Sequence, residues 1–327
     1  MARELESKGR REEAQTVQAP RAAAILYSLL ANQGRARPWL LPANICPIVP
    51  AVFLKARVPF EFVDISATTL HMDLEQAAAR IRPGQCGGVL YAHTYGEAST
   101  PNEFFAEVKA CDPDLIVVDD RCLCPPDLEP PVSLVADVAL YSTGHAKFVE
   151  LGFGGYAFMQ PRMRYVPASL PFSPAHHAEL EASYKASIQA HTPFHYRDSD
   201  WLETKASGPA WSEYRQELAA GLAHSAAQRK VLCAIYTQEL PAELQLPAAY
   251  QTWRFNLRVR EQRRVLDAIF AAKLFASAHY ASLAGIMTTD RCPQAEALAR
   301  DAVNLFIDHH FTVEQAERVC AIIRATL

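Results

Sequence analysis

Lys147 is the residue whose setting asks for chemistry. It stands in LYSTGHAKFVELGFGG (140–155), directly after an apolar run that reads as a strand, among serine, histidine and glycine residues. A strand end that opens into a glycine-rich loop is where open α/β sheets place their ligands. The preceding apolar run, DLIVVDD (114–120), ends in Asp119 and Asp120, and Ser142 comes five residues before the lysine. Neighbouring parallel strands would bring these ends to one sheet edge. An amine that condenses with an aldehyde, a carboxylate that keeps a pyridine nitrogen protonated, and a hydroxyl that joins helix N-terminal amides around a phosphate suit pyridoxal 5'-phosphate (PLP). Each residue also has a plain structural reading. Lys147 can be a solvated loop residue, the aspartates turn formers, and Ser142 the end of a strand.

The elements that must position this set alternate from about residue 20 to 160. APRAAAILYSLL (19–30) reads as an apolar helix, PFEFVDI (59–65) as a strand, and MDLEQAAARI (72–81) as an amphipathic helix closed by Pro83 and Gly84. GGVLYAHTYG (87–96) is a buried strand, PNEFFAEVKAC (101–111) a helix, and VADVALYST (135–143) and GGYAFMQ (154–160) are two further strands. Apolar strands separated by helices imply a mostly parallel sheet covered on both faces. Residues 161–210 show weak periodicity, and SEYRQELAAGLAHSAAQRKVLCAIY (212–236) reads as a long helix despite Gly221. WRFNLRV (253–259), EQRRVLDAIFAA (261–272) and AVNLFID (302–308) read as strand, helix and strand of a smaller α+β domain. The last helix opens on a capping box, Thr312 with Gln315, and carries the stripe Val313, Ala316, Val319, Ile323, Leu327.

Composition narrows the class. The chain has 327 residues, half of them apolar, about a fifth charged, with a formal net charge of −4. That is an ordinary soluble protein with room for a large domain and a smaller one. The basic residues are dispersed, which argues against nucleic acid, and no apolar run reaches the ~18 residues of a membrane span. The charged N-terminus MARELESKGRREEAQ lacks the apolar core of a secretory signal, so a cytoplasmic location is expected. Eight cysteines, of which Cys122 and Cys124 are the closest pair, show no metal-site spacing; reduced thiols and no metal are expected.

The chain also resembles the DegT/DnrJ/StrS sugar aminotransferases, a branch of the fold type I PLP enzymes, over most of its length. WLLPANICPIVPAVFLKARVPFEFVDI, LHMDLEQAAARI and VLYAHTYGEASTPNEFFAEVKA follow that family's early segments in order. LIVVDDRC stands in the place of its acidic pair, ALYSTGHAKFVELGFGGYAF matches its serine-to-lysine spacing, and EALARDAVNLFIDHHFTVEQAERVCAIIRATL resembles its closing segment. The resemblance implies a fold type I PLP-transferase-like α/β fold, with a large PLP-binding domain 19–210 with a central loop region, and a connecting helix with a small α+β domain over 211–327; the charge and low hydrophobicity of the N-terminus imply a flexible segment 1–18. It implies Lys147 as the cofactor-bearing base, Asp120 as the partner of the ring nitrogen, and Ser142 on the phosphate. It further implies a homodimer using an amino donor and a keto acceptor, such as a nucleotide-linked keto sugar in natural-product or polysaccharide synthesis.

The departures from the family pattern are specific. Ala19-Pro20-Arg21 replaces Ser-Gly-Thr at the start of the first helix, so the amides of Arg21 and Ala22, with the Arg21 guanidinium, are left for the phosphate; Pro20 has no N–H. Ile45 stands where an aromatic ring usually stacks, and Arg121-Cys122-Leu123 follows the aspartates. The family's Asn-x-Arg has no clear counterpart in 190–215. His93 is either a pocket residue or a satisfied core histidine. His145 is a pocket or turn residue, Arg254 a carboxylate binder or an ion-pair partner, His279 and Tyr280 candidates for the site mouth, and His309-His310 an exposed turn. Rival readings are a PLP-dependent lyase, dehydratase or condensing enzyme, and a non-catalytic homologue. The sugar dehydratases of the family carry histidine in place of this lysine. A nucleotide-binding enzyme without PLP would show G-x-G-x-x-G after its first strand, and none is present.

Overall fold

The computed structural model describes residues 14–33, 37–131, 134–205 and 208–327. The first part of the chain runs β1 (Gln15–Ala19), α1 (Ala22–Asn32), β2 (Trp39–Pro42), α2 (Ile48–Ala56), β3 (Phe60–Val63), α3 (Leu74–Arg80), β4 (Gly88–Ala92), α4 (Asn102–Cys111), β5 (Ile116–Asp120), β6 (Val138–Ser142) and β7 (Gly155–Met159). Then follow α5 (Pro174–Ala190), α6 (Trp211–Glu239), β8 (Phe255–Arg258), α7 (Gln262–Ala271), β9 (Ala276–Ser277), α8 (Pro293–Asp301), β10 (Ala302–Leu305) and α9 (Val313–Thr326).

The first seven strands form one sheet in the order β1-β7-β6-β5-β4-β2-β3. Its central strands are parallel, and β7 runs back antiparallel to both β6 and β1. The central strands are largely apolar because helices cover both faces, whereas the edge strand β1 (QTVQA) is polar and partly exposed. On one face Ala77 of α3 and Phe104, Phe105 and Val108 of α4 pack on Leu40, Val89, Tyr91 and Val117. On the other, Ile25 and Leu29 of α1 and Val52 and Phe53 of α2 pack on Leu41, Leu90, Val118 and Leu140. A second sheet, β8-β10-β9, is antiparallel and shares a separate core with α7, α9 and the C-terminal half of α6. With 29 residues α6 is about 43 Å long, and its first half packs instead against β6 and β7.

Several expectations need correction. The N-terminal segment expected to be flexible to residue 18 is, from Gln15 onward, an edge strand paired with β7; residues 1–13 lie outside the described ones. The helix expected over 19–30 therefore begins only at Ala22, after the strand and Pro20. The residue-by-residue pattern shows neither β2, a four-residue buried run, nor α2, whose Pro47 and Pro50 read as breakers. Those prolines fall at the N-cap and in the first turn, where a helix has no internal use for their missing N–H groups. α5 also emerges from the weakly periodic region, because only Leu180 and Tyr184 of its 17 residues are buried. In α9 the capping box is present and Ala316, Val319 and Ile323 are fully buried, but Val313 and Leu327 at the ends of the stripe are exposed.

Gly155 shows how tightly the sheet meets the start of α1. A Cβ there would overlap the Ala22 amide nitrogen and lie 2.5 Å from Ala22 Cα, backbone atoms that cannot swing aside. Gly155→Ala should therefore cost about 2 kcal/mol or more in denaturant unfolding, the upper range of overpacking. Gly208→Ala, whose Cβ would meet nothing within 4 Å, should stay within about 0.5 kcal/mol of wild type. Equal losses in the two variants would show that this contact is not a constraint.

Candidate active site

The parity of the strands sorts the polar residues at the C-terminal sheet edge. In the register of β5 and β6, Asp120 lies opposite Leu140, two residues before Ser142, so all three project from the same face. In the register of β4 and β5, Tyr91 lies opposite Asp119, and His93 shares that alternation on the other face. Asp120 and Ser142 accordingly reach one cavity with Lys147, while Asp119 and His93 turn away from it.

The loop that carries Lys147 is held from several sides. Ala146 occupies the left-handed region (φ 56°) just before the lysine, a conformation costing a non-glycine residue about 1–2 kcal/mol. Its N–H donates to Glu150 Oε2 at 3.0 Å, and its carbonyl accepts the Trp253 indole N–H at 2.7 Å. The Arg229 guanidinium, 4% exposed, donates to the carbonyls of Lys147 (3.3 Å) and Phe148 (3.4 Å). It also reaches those of Thr252 (3.3 Å) and Trp253 (2.5 Å), and Nε donates to Ser225 Oγ at 3.0 Å. Burial and then the charge of Arg254 pull Arg229 down to about 10, so it remains a cation at neutral pH. Gly221 of α6 is explained here: a Cβ would lie 2.6 Å from Val149 Cγ1 of the same loop.

The cavity measures about 660 Å³, within the usual range for small-molecule sites. Arg21, Ala22, Ile45, Asp120, Ser142 and Lys147 all line it, which brings together every expected site residue except His93. Asp120 Oδ1 accepts the Cys122 N–H at 3.0 Å, and Ser142 Oγ accepts the Gly144 N–H at 3.3 Å. Arg21, at the N-cap of α1, donates from Nε to Glu203 Oε2 at 3.3 Å. A backbone bridge pairs Arg21 with Gly154, and the Ala24 N–H is used by the Arg21 carbonyl. Two thiols flank the acid and the amine. Burial raises Cys46 against the pull of Lys147, and burial followed by the Asp120 charge raises Cys122 well above its ordinary value, so both stay protonated.

His93 is corrected to a core residue. It is 1% exposed, with Nδ1 2.7 Å from the Glu97 carbonyl and Nε2 2.6 Å from Asp119 Oδ1. Beside it lies His71, 3.7 Å from Glu97 Oε2, whose pKa falls from 6.5 to about 4 through burial and then repulsion from His93, against the pull of Glu97 and Asp119. Arg254 is the buried ion-pair partner of Asp308, with its guanidinium 3.9 Å from the centre of the Phe306 ring; it does not face the cavity. His145, His279 and Tyr280 line the cavity, and Tyr280 lies parallel to Trp253 with ring centres 5.9 Å apart. His309 and His310 are exposed, and His310 Nε2 lies 3.3 Å from Glu150. The sequence reading missed Arg229, Trp253, Glu203 and the cavity face of α5. Strand parity could have placed His93, but no local pattern marks an arginine whose acceptors are distant carbonyls.

No protein-family model matches the sequence, and no curated protein matches it. Solved structures do. A Streptococcus pneumoniae protein described as a sugar aminotransferase, in its PMP form, superposes at TM-score 0.69 with 15% identity, over 97% of this chain and 88% of that one. A DegT/DnrJ/EryC1/StrS aminotransferase of Brucella abortus gives 0.66 with 15% identity, over 96% and 86%. The Escherichia coli GDP-4-keto-6-deoxy-D-mannose-3-dehydratase with bound hydrated PLP gives 0.64 with 10% identity, over 95% and 88%. The expected fold type I PLP-transferase-like architecture is therefore the fold of this chain.

Arg229→Met would strand four carbonyls and should cost about 2–4 kcal/mol in urea unfolding; a loss below about 1 kcal/mol would show that the clamp does not hold the loop. His71 gives a pH signature. Its folded pKa is depressed, so the unfolded chain binds the proton first, and stability present above pH 6.5 is lost as pH falls towards 4. The loss should total about 3 kcal/mol in wild type and be absent from the curve of His71→Gln. Parallel wild-type and variant curves between those pH values would contradict the burial of a neutral imidazole.

Proposed function

We propose that this chain is a PLP-dependent aminotransferase acting on the keto group of a small polar metabolite, a nucleotide-linked keto sugar or a related natural-product or polysaccharide precursor. The observation that carries the reading is the meeting of Lys147, Asp120 and Ser142 in one cavity at the C-terminal edge of a parallel sheet. The names of the neighbours support it, since they include sugar aminotransferases and structures with PLP or PMP.

The residues fit the cofactor. Lys147 supplies the amine for its aldehyde, Asp120 a carboxylate for the ring nitrogen, and Ile45 an apolar surface for one ring face. The start of α1, Ser142 and the Arg21 guanidinium form the anion end, although Glu203 competes there for Arg21. Bound PLP supplies the electron-accepting ring that carbanion chemistry at an amino acid Cα needs. Lys147 Nζ would hold and move the proton, with its loop fixed by Arg229 and Trp253. Asp120 would offer its carboxylate to the ring nitrogen. Donor and acceptor use the same cavity in turn, which predicts ping-pong kinetics. A homodimer, with a second copy beside the cavity mouth, belongs to the same reading.

The test is the visible spectrum of the purified protein with added PLP, wild type against Lys147→Ala. The wild type should show a yellow band that borohydride fixes covalently to the chain and that glutamate or another amino donor bleaches, and the variant should show neither. A wild-type protein from which PLP washes off without a band would overturn the enzyme reading in favour of a non-catalytic homologue. A band that no amino donor bleaches would favour another PLP chemistry.

A further inference from the structure

α5 presents a polar ridge to the cavity. His177, Glu181, Tyr184, Lys185, Ile188 and Gln189 line the same space as Lys147, at the spacing that places them along one side of a helix. Other lining residues are apolar, among them Leu26, Ile45, Ile48, Val49 and Val52. At the centre of the ridge Glu181 is 2.9 Å from Lys185 Nζ and 3.6 Å from His177 Nε2, with its side chain 37% exposed. Such i,i+4 pairs on a helix stabilise it by only about 0.3–0.5 kcal/mol, so helix stability is a weak reason for a charged row in this place.

The ridge is positioned rather than free. The Ser173 hydroxyl caps α5 by accepting the His176 N–H, and the Ser173 N–H donates to the Asp200 carbonyl at 2.7 Å. The Asp200 N–H donates to His176 Nδ1 at 3.2 Å, and His177 Nδ1 lies 3.1 Å from the Trp201 carbonyl. Leu180 and Tyr184 plug the helix into the main core. Two residues on from Trp201, Glu203 bonds Arg21, so the α5 segment is tied to the anion end of the cavity as well.

We propose that Glu181 is the acceptor-specificity group of this site, its carboxylate accepting a pair of neighbouring hydroxyls on a carbohydrate ring. A carboxylate beside an ammonium and an imidazole forms a nearly neutral ridge. Its carboxylate can accept from the hydroxyls of a neutral ring, whereas a cationic ligand would meet Lys185. Trp201, Trp253 and Tyr184 also border the cavity but are nearly fully buried, so they form a fixed wall behind it rather than free stacking faces. The inference rests on the aminotransferase reading for its reaction, and on the cavity alone for its binding.

The experiment measures both. UDP-4-keto-6-deoxyglucose is titrated against the fluorescence of the protein, whose Trp201 and Trp253 line the cavity, for wild type, Glu181→Gln and Glu181→Ala. In parallel, return of the visible band after bleaching by glutamate is followed with that sugar and with pyruvate. Expected is at least a tenfold weaker sugar affinity and slower band return in Glu181→Ala, an intermediate loss in Glu181→Gln, and under threefold change with pyruvate. Thermal unfolding serves as the control for folding. Sugar binding equal in wild type and Glu181→Ala overturns the inference, as does a wild type that reacts with pyruvate and ignores the sugar. Failure of the aminotransferase reading is separately visible as absence of the band or of its bleaching, while the fluorescence titration still decides the role of Glu181.

Discussion

A buried guanidinium holds this molecule's working parts in register. Among the described residues Arg229 has no carboxylate within ion-pair distance; its bonds go to four backbone carbonyls and one hydroxyl. Two of the carbonyls belong to the loop that carries Lys147 and two to the segment entering β8, so one side chain joins the cavity edge of the large sheet to the smaller domain. A cation in such a place is tolerable because each acceptor is a fixed dipole that would itself be costly to bury unpaired. The Trp253 indole adds a second bond across the same junction. Gly221 lets α6 come close enough for this to happen.

Around that junction the alternation of strand side chains divides two kinds of polarity. Asp120 and Ser142 face the cavity, where water and ligand can reach them. Asp119, His93, Glu97 and His71 form a closed network behind the sheet, with His93 bonded at both ring nitrogens. The network orders the strand ends without touching the cavity. Adjacent aspartates in sequence thus serve opposite faces, Asp119 the buried network and Asp120 the cavity.

The Arg21 end of the cavity is where the sequence departs from the family pattern it resembles. Pro20 removes one amide, and Arg21 carries a guanidinium into the lining but is already paired with Glu203. The 194–203 stretch that brings Glu203 also anchors α5 through Asp200 and Trp201. An anion at Arg21 and a ligand against α5 would therefore act on one connected segment.

Sequence alone determined the alternation of strands and helices, the five-residue spacing from Ser142 to Lys147, the acid at the end of β5, and the capping box of α9. These depend on local periodicity and on residues near one another in the chain. It left β1, β2, α2 and α5 unseen, because short buried runs, prolines in a first turn and sparsely buried helices carry weak periodic signals. Only the tertiary structure decided that His93 lies behind the sheet, that Arg254 pairs with Asp308, and that Arg229 clamps the lysine loop. Each of these depends on partners tens of residues away, brought within bonding distance by packing rather than by spacing.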